Sequence, residues 1–340
     1  MQTPETLAAL ALAAGLIMYA LTGGADFGGG IWTALASGPR AREQRDSLFH
    51  AIGPVWETNH VWLIFVVVVL FTAFPAGFSA LFISLLTPLV LALIGINFRG
   101  AAFAFRHFGK QAGMEVPLAA RTFETASILT PFTLGMAVTA VAAGRIGYAG
   151  GVVSSTVWSW VNPFTLVGGL IGLAICGYLA PVYMAVRTHG DLQEDFRRRS
   201  IAAGLALGFL TALEVPVALR DAPLFADRLL DSWPLAAALS AVTAGVGTQL
   251  LLWRRRYFAA QLCAGCTVTL TLAGFAAALY PDLIIGQLSL AKAAAPRPTL
   301  VAFLTVLPLG SLILVPSLLF LYWTFRGEPD TELPPAGSEK

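Results

Sequence analysis

Gly53-Pro54-Val55-Trp56-Glu57-Thr58-Asn59-His60-Val61-Trp62 runs straight into Leu63-Ile64-Phe65-Val66-Val67-Val68-Val69-Leu70-Phe71. Read from Leu48 to Phe74, the two stretches predict one long hydrophobic helix. Its first half carries a carboxylate, an amide, an imidazole and two indoles. Crossing the hydrocarbon core takes about 20 apolar residues at a rise of about 1.5 Å each. An ionisable group at that depth costs roughly 2.5–3.5 kcal/mol on insertion scales, so Glu57 is the first residue that needs a reason.

The rest of the chain has the same character. Of its 340 residues, 57% are hydrophobic and 12% charged, against about 25% charged in a soluble domain. The fold class that follows is an all-α polytopic membrane protein. The net charge of +2 favours no acidic partner, and no basic patch interleaved with aromatics points to nucleic acid. Applying the span rule along the chain yields about nine transmembrane helices: Leu7–Ser37, Leu48–Phe74, Phe78–Phe105, Thr122–Ala143, Pro163–Val186, Ile201–Leu219, Pro234–Trp253, Phe258–Tyr280 and Leu300–Phe325. Their lengths suit two four-helix bundles plus one peripheral helix. The sixth span is the weakest, because Glu214 and Pro216 interrupt it. A membrane helix tolerates proline where neighbours satisfy the freed carbonyl.

Arginines and lysines alternate between loops. Arg40, Arg42 and Arg45 follow span one, Arg106, Lys110 and Arg121 follow span three, Arg187 and Arg197 to Arg199 follow span five, and Arg254 to Arg256 follow span seven. The intervening loops are poorer, which places the N-terminus outside and the C-terminus inside. Residues 1–326 read as a single transmembrane domain. Residues 327–340, with Pro329, Pro334 and Pro335 among acidic residues, read as a short disordered cytoplasmic tail. Met1-Gln2-Thr3-Pro4-Glu5 lacks a positive n-region, against a cleaved signal peptide. The three cysteines, Cys176, Cys263 and Cys266, all lie in apolar runs and define no disulfide framework.

Several polar residues within the spans could carry chemistry. Span one holds Leu21-Thr22-Gly23-Gly24-Ala25-Asp26-Phe27-Gly28-Gly29-Gly30. No Gly-Lys-Ser/Thr follows and no strand precedes, so the glycines read as close helix packing rather than a phosphate cradle. Asp26 counts about ten residues, or about 15 Å, from the inner end of span one, and Glu57 about nine residues, or about 14 Å, from that of span two. Two carboxyls at similar depth could form a proton relay. Each could equally be a protonated acid bonded to a neighbouring helix, or one paired with a cation. Glu57 and His60 share a helix face at i and i+3. A helical di-iron site would need a second such pair and two more glutamates. Glu115, Glu124, Glu194 and Glu214 are not followed by histidine three places on, so no metal site complete within this chain is expected, a single axial haem ligand staying open. Arg99, two turns deeper than Arg106, needs an acid, a carbonyl or water, and is a candidate counter-charge for the acids.

Pro54, Trp56-Glu57, Asn59 and Val61-Trp62 together resemble the signature of subunit II of cytochrome bd-type quinol oxidases. Thr22-Gly23-Gly24-Ala25-Asp26-Phe27-Gly28 is similar to that family's first-helix stretch, and Asn97-Phe98-Arg99 to its arginine-bearing third helix. Asn162-Pro163-Phe164 and Tyr280-Pro281 agree in order. The resemblance implies a multi-pass subunit in the bacterial cytoplasmic membrane, paired with a haem-bearing subunit I and inactive alone. Haem b and haem d would sit on subunit I, with quinol as reductant, dioxygen reduced to water and small accessory membrane subunits as further partners. It leaves open whether a quinone binds this chain. By motif position Glu57 is the acid of a cytoplasmic proton path, with Asp26, Arg99 and His60 beside it. Trp56, Asn59, Trp62 and Pro54 form the structural motif. Gly23 and Ala104 stand where many or some members carry aspartates, so a path here leans on Glu57. Two other readings compete. A proton-coupled secondary transporter would show paired, glycine-broken helices in its two halves, which are not seen here. A purely structural partner would carry no protons.

Overall fold

A computed structural model of the chain describes residues 3–52, 56–111 and 116–324. The elements in order are α1 (Pro4–Ala34), α2 (Ala41–Ile52), α3 (Trp56–Ala73), α4 (Pro75–Ser84), α5 (Leu86–Gln111), α6 (Pro117–Ala140), the hairpin β1 (Gly147–Ala149) and β2 (Val152–Ser154), α7 (Pro163–Arg187), α8 (Gly190–Asp221), α9 (Pro223–Leu229), α10 (Ser232–Trp253), α11 (Tyr257–Leu279), the short pair β3 (Asp282–Ile284) and β4 (Leu288–Ser289), α12 (Leu290–Ala293) and α13 (Arg297–Thr324). Seven of these helices are long and apolar enough to cross a membrane: α1, α5, α7, α8, α10, α11 and α13. The other two expected spans coincide with α3 and α6. The expected tail, residues 327–340, lies outside the described residues.

The expected span Leu48–Phe74 is described on either side of residues 53–55, as the end of α2 and as α3; residues 53–55 lie outside the described residues. One expected span is corrected: Phe78–Phe105 is split at Leu85 into α4 and α5. In an unbroken helix Pro88 would have to donate to the Ser84 carbonyl, and it has no N–H. By contrast α8 continues through Glu214 and Pro216, as expected. Proline opens α1, α4, α6, α7 and α9, where its missing N–H costs nothing. At α7 the Asn162 side chain accepts from Thr165 N–H at 3.1 Å while the Thr165 hydroxyl accepts from Asn162 N–H at 3.1 Å, a reciprocal capping box.

The first bundle packs α1 against α3 and α6, and α5 against α6; the second packs α7 with α8 and α11, and α10 against α11. α1 and α7 join the two, and α13 packs against α1 and α3. The glycines of α1 permit that junction. A Cβ on Gly28 would strike the Cys176 carbonyl oxygen of α7, and one on Gly30 would strike the Ser127 hydroxyl of α6. Gly28→Ala is therefore expected to destabilise the protein by about 1–3 kcal/mol, read as a lower thermal midpoint. Gly208→Ala on α8, where a Cβ meets nothing within 4 Å, should be tolerated.

Loops expected on one side gather at one end. Arg40, after α1, binds Asp195 of α8 through Nε at 2.8 Å and Nη2 at 2.7 Å. Gln44 of α2 donates to the same carboxylate at 2.9 Å and accepts from Arg199 at 2.6 Å. At the opposite end Arg145 meets Asp221, and Arg228 meets Asp282 at 2.8 Å.

Candidate functional site

Asp26 and Arg99 meet inside the first bundle. The glycines around Asp26 leave α1 thin enough for α6 and α7 to close over it, and α5 carries Arg99 directly to it. Arg99 Nη2 donates to Asp26 Oδ1 at 2.6 Å and to the Asp26 backbone carbonyl at 3.0 Å. Its Nη1 donates to Asp26 Oδ2 at 2.9 Å, and its Nε to Ser127 Oγ at 3.0 Å. Ser127 in turn donates to the Phe123 carbonyl at 2.7 Å. The guanidinium lies over the rings of Phe27 at 4.9 Å and Phe123 at 4.7 Å. Arg99 is 1% exposed and Asp26 5%, so the charges are balanced by each other and not by solvent. The contact between the two side chains is bidentate in geometry.

α3 lies against this pair. Asn59 is buried. His60 beside it is half-buried. Trp62 packs in one cluster with Tyr19, Phe27 and Ile31 and meets Phe65 edge-on at 6.2 Å. Pro54 and the side chains of Trp56 and Glu57 lie outside the described residues. Within the described residues α3 begins at Trp56, next to Glu57.

The sequence reading missed Ser127, the third partner of Arg99. A lone hydroxyl in an apolar span gives no signal until the helix facing it is known. Both Glu214 oxygens, in the second bundle, are buried without a hydrogen-bond partner among the described residues. Among the described residues no three His, Cys, Asp or Glu side chains cluster as metal ligands, and all three cysteines are free.

The sequence profile of the family described as "Cytochrome bd terminal oxidase subunit II" matches residues 4–325. The chain belongs to that family. Cytochrome bd ubiquinol oxidase subunit 2 of Bacillus subtilis (strain 168) is 31% identical over 176 residues, which cover 52% of this chain and 51% of that protein. Cytochrome bd-I ubiquinol oxidase subunit 2 of Escherichia coli (strain K12) is 27% identical over 201 residues, covering 56% of this chain and 50% of the relative. These matches span about half the length of those relatives. The solved bd oxidase from Geobacillus thermodenitrificans superposes with a TM-score of 0.75 over 95% of this chain and 99% of the matched chain, at 19% identity, a likeness of fold.

The family match spans both the Asp26–Arg99 pair and α3. The glycines of α1 admit Ser127 of α6 beside Gly30 and Cys176 of α7 beside Gly28.

Proposed function

We propose that this chain is the non-haem subunit II of a membrane quinol:dioxygen oxidoreductase in a bacterial cytoplasmic membrane. On this reading it crosses nine times, N-terminus outside, stabilises a haem-bearing subunit I and lends it part of a proton path from the inner face. Reduction of dioxygen to two waters consumes four electrons and four protons; the haems of subunit I supply the electrons from quinol. The part of this chain is to hold and pass protons.

The observation that carries the reading is the closed Asp26–Arg99 pair beside the Asn59–His60 face of α3. Both Asp26 oxygens already accept from Arg99, so the pair acts as a fixed neutral dipole rather than a carrier. Its role is to hold α1, α5 and α6 together. Glu57, on the same α3, is left as the group that takes up and gives away the proton.

The test is to purify the tagged chain from its native membrane in mild detergent. A co-purified partner with b- and d-type haem absorbance and quinol-dependent oxygen uptake is expected. A chain that purifies without haem, and membranes whose quinol oxidation is unchanged when it is deleted, would reject the reading.

A further inference from the structure

The turn between α10 and α11 is Arg254-Arg255-Arg256, and its geometry is unusual. Arg256 N–H reaches back to the Leu251 carbonyl at 2.8 Å and Arg255 N–H to that of Leu252 at 3.1 Å. This is the bond pattern of a Schellman motif, whose left-handed position is ordinarily glycine. Here that position is Arg255, with φ of 60°, the only non-glycine residue with positive φ among the described residues. A side chain held in that conformation is strained, and strain of this kind points toward a use.

The turn presents its three guanidinium groups outward, and all three arginines are exposed. Trp253 and Phe258, which flank them, are exposed too, at 73% and 65%. Exposed aromatics beside basic residues mark the level of the lipid headgroups. The charge around the turn does not balance. Glu194 of α8 binds Arg197 and Arg198 and reaches Arg255 at 3.5 Å. That sets one carboxylate against five arginines, because Asp191 and Asp195 are engaged by Arg40. The first turn of α11 contributes no acid. A planar guanidinium matches the oxygens of a phosphate through paired N–H donors.

We propose that the α10–α11 turn is a docking site for the phosphates of anionic phospholipids, with Trp253 and Phe258 set among the lipid chains below them. The turn holds lipid on the second bundle, on the side of it that carries α8, and does so whichever reaction the complex performs.

The test uses the intact complex, exchanged into nanodiscs of phosphatidylcholine alone or with added cardiolipin, then released and weighed by native mass spectrometry. The wild-type complex should retain cardiolipin in preference to phosphatidylcholine. R254Q/R255Q/R256Q should lower that retention about a hundredfold, at roughly fivefold per arginine, and the triple lysine variant should restore much of it. E194Q, which leaves the turn intact and removes the one balancing carboxylate, should raise retention. Equal retention of the two lipids, undiminished cardiolipin in the triple glutamine variant, or lower retention in E194Q would each overturn the proposal.

Discussion

Arg99→Leu is expected to destabilise the protein by about 3–5 kcal/mol, the cost of leaving one member of a buried pair without its partner. Four donated hydrogen bonds end on Asp26 and Ser127 from this one side chain, and no solvent reaches the site to replace them. Assembled complex should fall sharply in yield, and what remains should melt earlier. Replacing both members, Asp26→Leu with Arg99→Met, should recover most of the lost stability, since an apolar pair of similar volume is often as stable as the ion pair it replaces. The double variant also separates two roles. If the pair is a fixed dipole, turnover recovers with stability; if Asp26 hands protons on, stability returns and turnover does not. A single variant within about 1 kcal/mol of wild type would contradict the coupling argued from these bonds.

Glu57→Gln is expected to leave the complex assembled and to lower quinol-dependent oxygen uptake about a hundredfold, the scale of a lost proton-transfer group. The glutamine is nearly isosteric, so haem absorbance and melting temperature should stay close to wild type. A further signature distinguishes a blocked proton step from a damaged electron step. Reduction of the haems by quinol should remain fast under anaerobic conditions, with the delay appearing only once dioxygen is admitted. Unchanged turnover together with unchanged proton uptake would reject the proton-path role and leave a scaffolding subunit.

Much of this arrangement was legible before any coordinates. An arginine two turns inside an apolar span demands a counter-charge, and Arg99 found one of the two acids that the sequence placed at its depth. Which acid it takes was not legible. That choice depends on how α1, α5 and α6 rotate about their axes, and pairing across helices 73 positions apart leaves no local trace. The break before Pro88 was written in the chain, yet the continuous hydropathy around it hid the missing N–H donor. Ser127 carried no signal at all, because a hydroxyl in an apolar helix ordinarily bonds back to its own carbonyls.

Local composition by itself determined that this chain lives in a membrane, roughly where its helices run, and that Asp26, Glu57 and Arg99 had to be accounted for. Those properties follow from the transfer cost of each residue, which is additive along a chain and needs no partner to evaluate. Tertiary packing alone decided that Asp26 is locked to Arg99 under Phe27 and Phe123, and that the glycines of α1 admit Cys176 and Ser127. Each of these depends on which surfaces come within a few ångströms of one another, a property of the folded whole that no single stretch of sequence contains.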